Sequence, residues 1–188
     1  MEATSTAQSE ISAIRQPRFS GMSHVSIPCR DLEESKIFYA KVMGGELFHE
    51  IPGFVEYRIQ DIVIGLSEQP EGWTGRDDEY PHYAFYLDGA NLDLMKNLLD
   101  RCGVPNYPYR RDKTALIYFR DPSGNLFELY CDTGYEGIAS LALAPRRGGK
   151  PIDFRRLNYQ WNGKSAALSD TEVHKPRFTA FAHASLYC

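Results

Sequence analysis

Met22-Ser-His-Val-Ser-Ile-Pro28 and Pro81-His-Tyr-Ala-Phe-Tyr-Leu87 open two copies of one pattern. Each is a short strand-like run with a histidine near its start, His24 in the first and His82 in the second. The first copy continues as Asp31-Leu-Glu-Glu-Ser-Lys-Ile-Phe-Tyr-Ala-Lys-Val-Met43 and stops at Gly44-Gly45. The second continues as Asn91-Leu-Asp-Leu-Met-Lys-Asn-Leu-Leu-Asp-Arg-Cys102 and stops at Gly103. These middle stretches read as helices. Asp31 and Asn91 are suitable N-caps, and Glu34 stands where a capping box places a carboxylate. Met95, Leu98, Leu99 and Cys102 recur at the spacing of one helix face. Gly44 and Gly103 can adopt the left-handed conformation that ends a helix.

Strand-like runs follow each helix. They are Glu46–Glu50, Phe54–Ile59 and Ile62–Ser67 in the first copy, broken at Pro52-Gly53 and Gln60-Asp61. In the second they are Tyr107–Arg110, Ala115–Arg120 and Asn125–Cys131. Asp121-Pro-Ser-Gly124 between the last two is a tight turn, with proline setting φ and glycine permitting a positive one. The sequence therefore predicts βαβββ twice, an α+β fold with mainly antiparallel sheet. The modules span about 22–68 and 80–132, within a domain of residues 19–134.

Residues 1–18 are small and polar and read as a mobile N-terminal arm. Residues 135–188 show no clear periodicity and read as an irregular C-terminal extension packing on the body or on a dimer partner. Hydrophobic residues make up 43% and charged ones 24%, a globular balance, and the net charge of −4 gives no electrostatic basis for nucleic-acid binding. No apolar run reaches the roughly 20 residues of a membrane helix. The N-terminus lacks the pattern of a secretory signal. Cys29, Cys102, Cys131 and Cys188 have no paired-ligand spacing and are expected as reduced thiols, which predicts a cytoplasmic protein.

Alternation along a strand puts His24 on one face with Ser26, His82 with Ala84 and Tyr86, and Glu128 with Leu126 and Tyr130. Two histidines at equivalent places in a repeat, plus a carboxylate in an apolar strand, suit a two-His, one-carboxylate metal face. Such a face leaves adjacent positions open on Fe(II) or Mn(II), and the absence of thiolate argues against a closed structural zinc site. Taken singly, each histidine is more often structural than a ligand.

The pieces His24-Val-Ser-Ile with Asp31-Leu-Glu-Glu-Ser-Lys-Ile-Phe-Tyr39, Tyr80-Pro-His-Tyr-Ala-Phe85 and Tyr118-Phe-Arg-Asp-Pro-Ser-Gly-Asn-Leu-Phe-Glu128 resemble the vicinal oxygen chelate superfamily of glyoxalases, bleomycin-resistance proteins and extradiol dioxygenases. The resemblance implies two βαβββ modules forming a cup around one divalent metal held by His24, His82 and Glu128. It also implies a homodimer that builds each cup from both chains. Glyoxalase-type isomerases have a fourth ligand that aligns here with Gly65, which cannot ligate. Fosfomycin-resistance transferases share the His, His, Glu set and a tyrosine at Tyr118. Their phosphonate-binding lysine and serine should fall near Pro108 and Asp112, and their late arginine near Gly137; none is retained, though Arg110, Arg111 and Lys113 lie close in sequence. Extradiol dioxygenases also match Tyr118, but their signature histidine should fall within 109–111, read here Tyr109-Arg110-Arg111, and a second near Ser67.

The leading expectation is an Fe(II)-dependent dioxygenase acting on a small chelating, catechol-like substrate. The alternative is a Mn(II)- or Zn(II)-dependent transferase, lyase or isomerase, and the third reading is a ligand-binding protein without turnover. Tyr118 is the expected catalytic participant beside the metal. Ser26, Glu56, Arg58, Tyr86 and Tyr130 are candidate substrate contacts, with a cross-strand charge pair the competing reading for Glu56 and Arg58. Trp73 is either a lid aromatic or packs its loop down. His49, His174 and His183 show no comparable arrangement, and the basic stretch 146–156 is expected to dock on the acidic body.

Overall fold

A computed structural model of the chain describes residues 20–75, 81–111, 113–132, 142–143, 153–163 and 178–185. The N-terminal arm, Tyr80, Asp112, Gly137, residues 146–152 of the basic stretch, His174 and Cys188 lie outside the described residues. The first module comprises β1 (His24–Cys29), α1 (Leu32–Ile37), a π-helical turn (Phe38–Val42), β2 (Glu46–Ile51), β3 (Phe54–Ile59) and β4 (Ile62–Glu68). The second comprises β5 (Tyr83–Leu87), α2 (Gly89–Arg101), β6 (Asn106–Arg111), β7 (Thr114–Arg120) and β8 (Leu126–Cys131). The sheet orders β1-β4-β3-β2 and β5-β8-β7-β6 are the same path traced twice, which establishes the βαβββ repeat. In each module the first and last strands run parallel and the remaining pairs antiparallel.

Local chemistry sets the element ends. The Asp31 carboxylate accepts from the Glu34 N–H at 2.9 Å and starts α1. In α2 the cap is Asp88, which accepts from the Asn91 N–H at 2.8 Å; Asn91 is therefore not the cap but the residue held by it. The helix begins three residues early because Asp88 is the better placed acceptor. Gly44, Gly53, Gly103 and Gly124 have positive φ where the turns require it. The first helix widens at Phe38, whose carbonyl accepts from the Met43 N–H, and this turn buries Phe38, Tyr39, Val42 and Met43. In α2 the spacing of Met95, Leu98, Leu99 and Cys102 forms the buried face.

The inward faces of both sheets and both helices share one core. The modules are joined at the Asp121 turn. Asn125 donates to the Pro28 carbonyl at 2.9 Å, the Arg30 N–H donates to Ser123 Oγ at 2.8 Å, and the Tyr39 hydroxyl donates to Asp121 at 3.0 Å.

The described parts of the C-terminal extension are more regular than their sequence suggested. Ala142–Leu143 (β9) pairs with β6, Phe154–Leu157 forms a 3-10 turn, and Phe178–Ala184 (β10) adds antiparallel to β5. Among the described residues the second sheet thus has six strands, β10-β5-β8-β7-β6-β9. Trp161 is buried against Phe38, edge to face at 5.4 Å, and donates to the Cys102 carbonyl at 3.0 Å. Phe154 and Leu157 pack on the outward face of the second sheet, beside Tyr118, Leu116 and Leu126.

Candidate metal centre

Alternation in β8 turns Phe127 and Leu129 into the core and Glu128 to the opposite face. That carboxylate is 3% exposed, a costly position for a charge without partners. Its partners come from β7, from the residue before β5 and from β10. Tyr118 lies directly across on β7 and donates its hydroxyl to Glu128 Oε1 at 2.8 Å. His82, at the entrance to β5 and 1% exposed, brings Nε2 to 2.8 Å from Glu128 Oε2. His183 on β10 brings its Nε2 to 3.1 Å from that of His82 and 3.6 Å from Glu128 Oε2. Among the described residues this is the group whose donor atoms converge as a metal site requires.

The donor set fits a divalent ion. Two imidazole nitrogens and a carboxylate oxygen, without thiolate, suit a metal of intermediate or hard character. Donors at right angles about an ion with bonds of roughly 2.1 Å stand about 3.0 Å apart, and the three edges here are 2.8, 3.1 and 3.6 Å. Two ring nitrogens directed at one carboxylate oxygen compete for it in the absence of a cation, whereas a cation satisfies all three.

The surroundings hold the donors in place. The Tyr118 ring stands edge-on to His82 at 5.6 Å, stacks on Tyr109 at 5.7 Å and meets Phe154 edge to face at 5.3 Å. Tyr86 and Tyr130, paired in register, lie one alternation along from Ala84 and Glu128 on the same face, their rings edge to face at 5.4 Å. Tyr107 packs partly buried beside Tyr109. The alternation that turns Tyr107 and Tyr109 toward Tyr118 turns Pro108 and Arg110 to the other face, so Arg110 is not directed at the donors.

Of the expected ligands, His82 and Glu128 come together and His24 does not join them. His24 starts β1 in the other sheet, exposed, with Nδ1 2.9 Å from Ser23 Oγ. Ser26, Gly65 and Glu56 are aligned across β1, β4 and β3, on the face opposite the core, with Arg58 on that face too. The Arg58 guanidinium rests 4.3 Å from the Phe48 ring centre. At Gly65 a side chain would meet the Phe54 ring at 2.7 Å and Ser26 Oγ at 2.9 Å, so the space of a fourth ligand is already filled. Trp73 is half-buried, its N–H donating to the Ser123 carbonyl. It lines a cleft of about 190 Å³ with Arg30, Arg120 and Tyr159, away from the donors.

That His183 approaches His82 and Glu128 was not foreseen from the sequence. The signal present was the apolar run Phe178-Thr-Ala-Phe-Ala-His-Ala184, which has strand character.

Comparison with known proteins agrees with this architecture. The family described as "Glyoxalase/Bleomycin resistance protein/Dioxygenase superfamily" matches residues 21–129. The chain is 23% identical over 129 residues to glutathione transferase FosA of Serratia marcescens, covering 68% of this chain and 92% of that one. It is 25% identical over 146 residues to biphenyl-2,3-diol 1,2-dioxygenase 2 of Rhodococcus globerulus, covering 72% and 75%. A variant of the fosfomycin resistance protein FosX of Listeria monocytogenes, solved with Mn(II) and 1S,2S-dihydroxypropylphosphonic acid, superposes with a TM-score of 0.56 at 25% identity, covering 62% of this chain and 93% of that one. With the repeated βαβββ path and the family match over both modules, the chain belongs to the glyoxalase/bleomycin resistance protein/dioxygenase superfamily.

Proposed function

We propose that this protein is a divalent-metal transferase that joins a thiol to a small, oxygen-rich electrophile at the His82–Glu128 centre, with Mn(II) as the fitting ion. The observation that carries the reading is the convergence of buried imidazole and carboxylate donors, with the carboxylate braced by Tyr118. Likeness in sequence to glutathione transferase FosA supports transfer over oxidation, and likeness in fold to FosX solved with Mn(II) supports that ion. The order of the sequence-based expectations is thereby reversed.

A bound divalent ion would polarise a substrate oxygen and offset the negative charge that develops there. The chain's own residues do the positioning. Tyr118 occupies one carboxylate oxygen of Glu128 and leaves the other directed at the imidazoles. Its hydroxyl is also 3.5 Å from that of Tyr109, so the phenols form a short polar relay beside the centre. Tyr86, Tyr107 and Tyr130 offer flat apolar walls with polar tips, suited to a compact polar substrate. Since the phosphonate-binding lysine and serine expected near Pro108 and Asp112 are not retained, a substrate other than fosfomycin itself fits the chain better.

The second reading is Fe(II)-dependent ring cleavage of a catechol, favoured by the dioxygenase relative and by Tyr118 beside Glu128. Assays of the Mn(II)- and Fe(II)-loaded protein separate the two. The transferase reading predicts metal-dependent thiol consumption with small electrophiles, fosfomycin included in the panel. Oxygen uptake on catechols with Fe(II), without thiol consumption, would replace it by the second reading.

The outward face of the first sheet supports a homodimer. It carries His24, Ser26, Glu56 and Arg58 and is bordered by β2, where Leu47, Phe48 and Ile51 are 58%, 53% and 49% exposed. Sedimentation velocity showing only monomer would contradict that assembly. Buried free thiols at Cys29, Cys102 and Cys131 support a reducing, cytoplasmic setting.

A further inference from the structure

We propose that His183 is the third protein ligand of the metal centre, so that the C-terminal strand closes the site within one chain. The inference rests on the metal-centre reading above. It follows from how β10 is built. Its register against β5 runs Phe178↔Leu87, Ala180↔Tyr86, Phe181↔Phe85 and His183↔Ala84, with irregularities on both sides of the Ala180–Phe181 pair. In a regular strand Phe181 and His183 would face the same way. The extra residue between them, Ala182, breaks that rule. Phe181 therefore packs on Phe85 in the core at 5.5 Å, while His183 follows Ala84 to the opposite face, where His82 and Glu128 stand.

The strand is fixed at both faces and at its end. Phe178 is buried and meets the Phe85 ring at 5.0 Å. The Phe181 N–H donates to the Asp61 carboxylate at 3.0 Å, tying β10 to the turn between β3 and β4. The Ser185 N–H, two residues beyond His183, donates to the His82 carbonyl at 2.8 Å and holds the end of the strand beside His82. The three donors differ in exposure. The His183 side chain is 45% exposed, against 1% for His82 and 4% for Glu128, so the centre opens to solvent on the His183 side. A second copy of the chain could pair with the β5 edge only by displacing β10.

The test is Mn(II) binding by the full-length protein, followed by the electron paramagnetic resonance of free and bound ion. It compares the wild type, His183→Ala and His24→Ala, with circular dichroism as the check on folding. Pulsed measurements count coordinated imidazole nitrogens. Closure in one chain predicts that His183→Ala weakens Mn(II) binding by more than about tenfold and lowers the imidazole count from two to one. It also predicts that His24→Ala binds like the wild type, with an affinity that does not change on dilution. His183→Asn, which keeps a polar side chain of smaller size, should show the same loss if the alanine variant misfolds. Unchanged binding in the His183 variants, loss in His24→Ala, or weakening on dilution would overturn the proposal while leaving the metal centre standing. A wild type that binds no Mn(II) would overturn the metal reading itself.

Discussion

Tyr118 shows how much a single hydroxyl can decide. It is fully buried, and its bond to Glu128 Oε1 leaves Oε2 for the imidazoles. Tyr118→Phe keeps the ring contacts with His82, Tyr109 and Phe154 and removes only that bond. Loss of such a supporting partner typically lowers metal affinity by about 10–100-fold. We expect a fall of that size, with thermal stability little changed, measurable by isothermal titration with Mn(II). A second residue-scale effect concerns Asp121. Burial pushes its carboxyl up to about 6, although donors from Asn125, Tyr39 and Ser123 pull the other way. The folded chain then holds the proton more tightly than the unfolded chain. Stability is accordingly greatest in this respect below the ordinary carboxylate range and falls as pH rises from about 4 to about 6. Carboxyl-carbon NMR should give a midpoint near 6 for Asp121, and denaturant titrations at pH 4, 5 and 6 should show that fall; a midpoint near 4 would contradict it.

At the scale of elements, the modules were legible and the extension was not. The strands and helices of residues 22–132 carry the signals that local physics reads well: Asp31 as a cap, Gly44 and Gly103 as stops, and the helical period from Met95 to Cys102. The start of α2 was misread because Asp88 and Asn91 are both capping residues, and only the three-dimensional path shows which one accepts. That His82, Glu128 and Tyr118 come together was legible from alternation and from the family motif. His183 was not, because β10 breaks the two-residue period at its bulges, and periodicity is the signal on which strand reading depends. His24 was legible as the repeat mate of His82, and within one chain it lies apart from it, exposed at the start of β1. The extension is part of the core at Trp161. Trp161→Ala removes the contact with Phe38 and the bond to the Cys102 carbonyl, and large aromatic truncations of this kind cost about 3–5 kcal/mol. A urea midpoint shifted by much less would mean that residues 153–163 contribute little to the fold.

In the whole molecule, the core and the candidate metal centre occupy opposite faces of the second sheet. The core holds the two modules together through the Asp121 turn and the shared aromatic cluster of Phe38, Tyr39, Phe119 and Phe127. The donors stand on the far side, supported by the tyrosines of β6 and β7 and by the extension. Stability and metal binding should therefore separate on mutation. Glu128 makes that separation testable, since replacing it removes a buried carboxylate without touching the core side of β8. The most direct measurement is the metal content of wild type and Glu128→Ala after equilibration with Mn(II) and removal of excess ion. One ion per chain is expected in the wild type and none in the variant, with both folded by circular dichroism. A metal-free wild type, or a Glu128→Ala protein that retains its ion, would contradict the metal-centre reading.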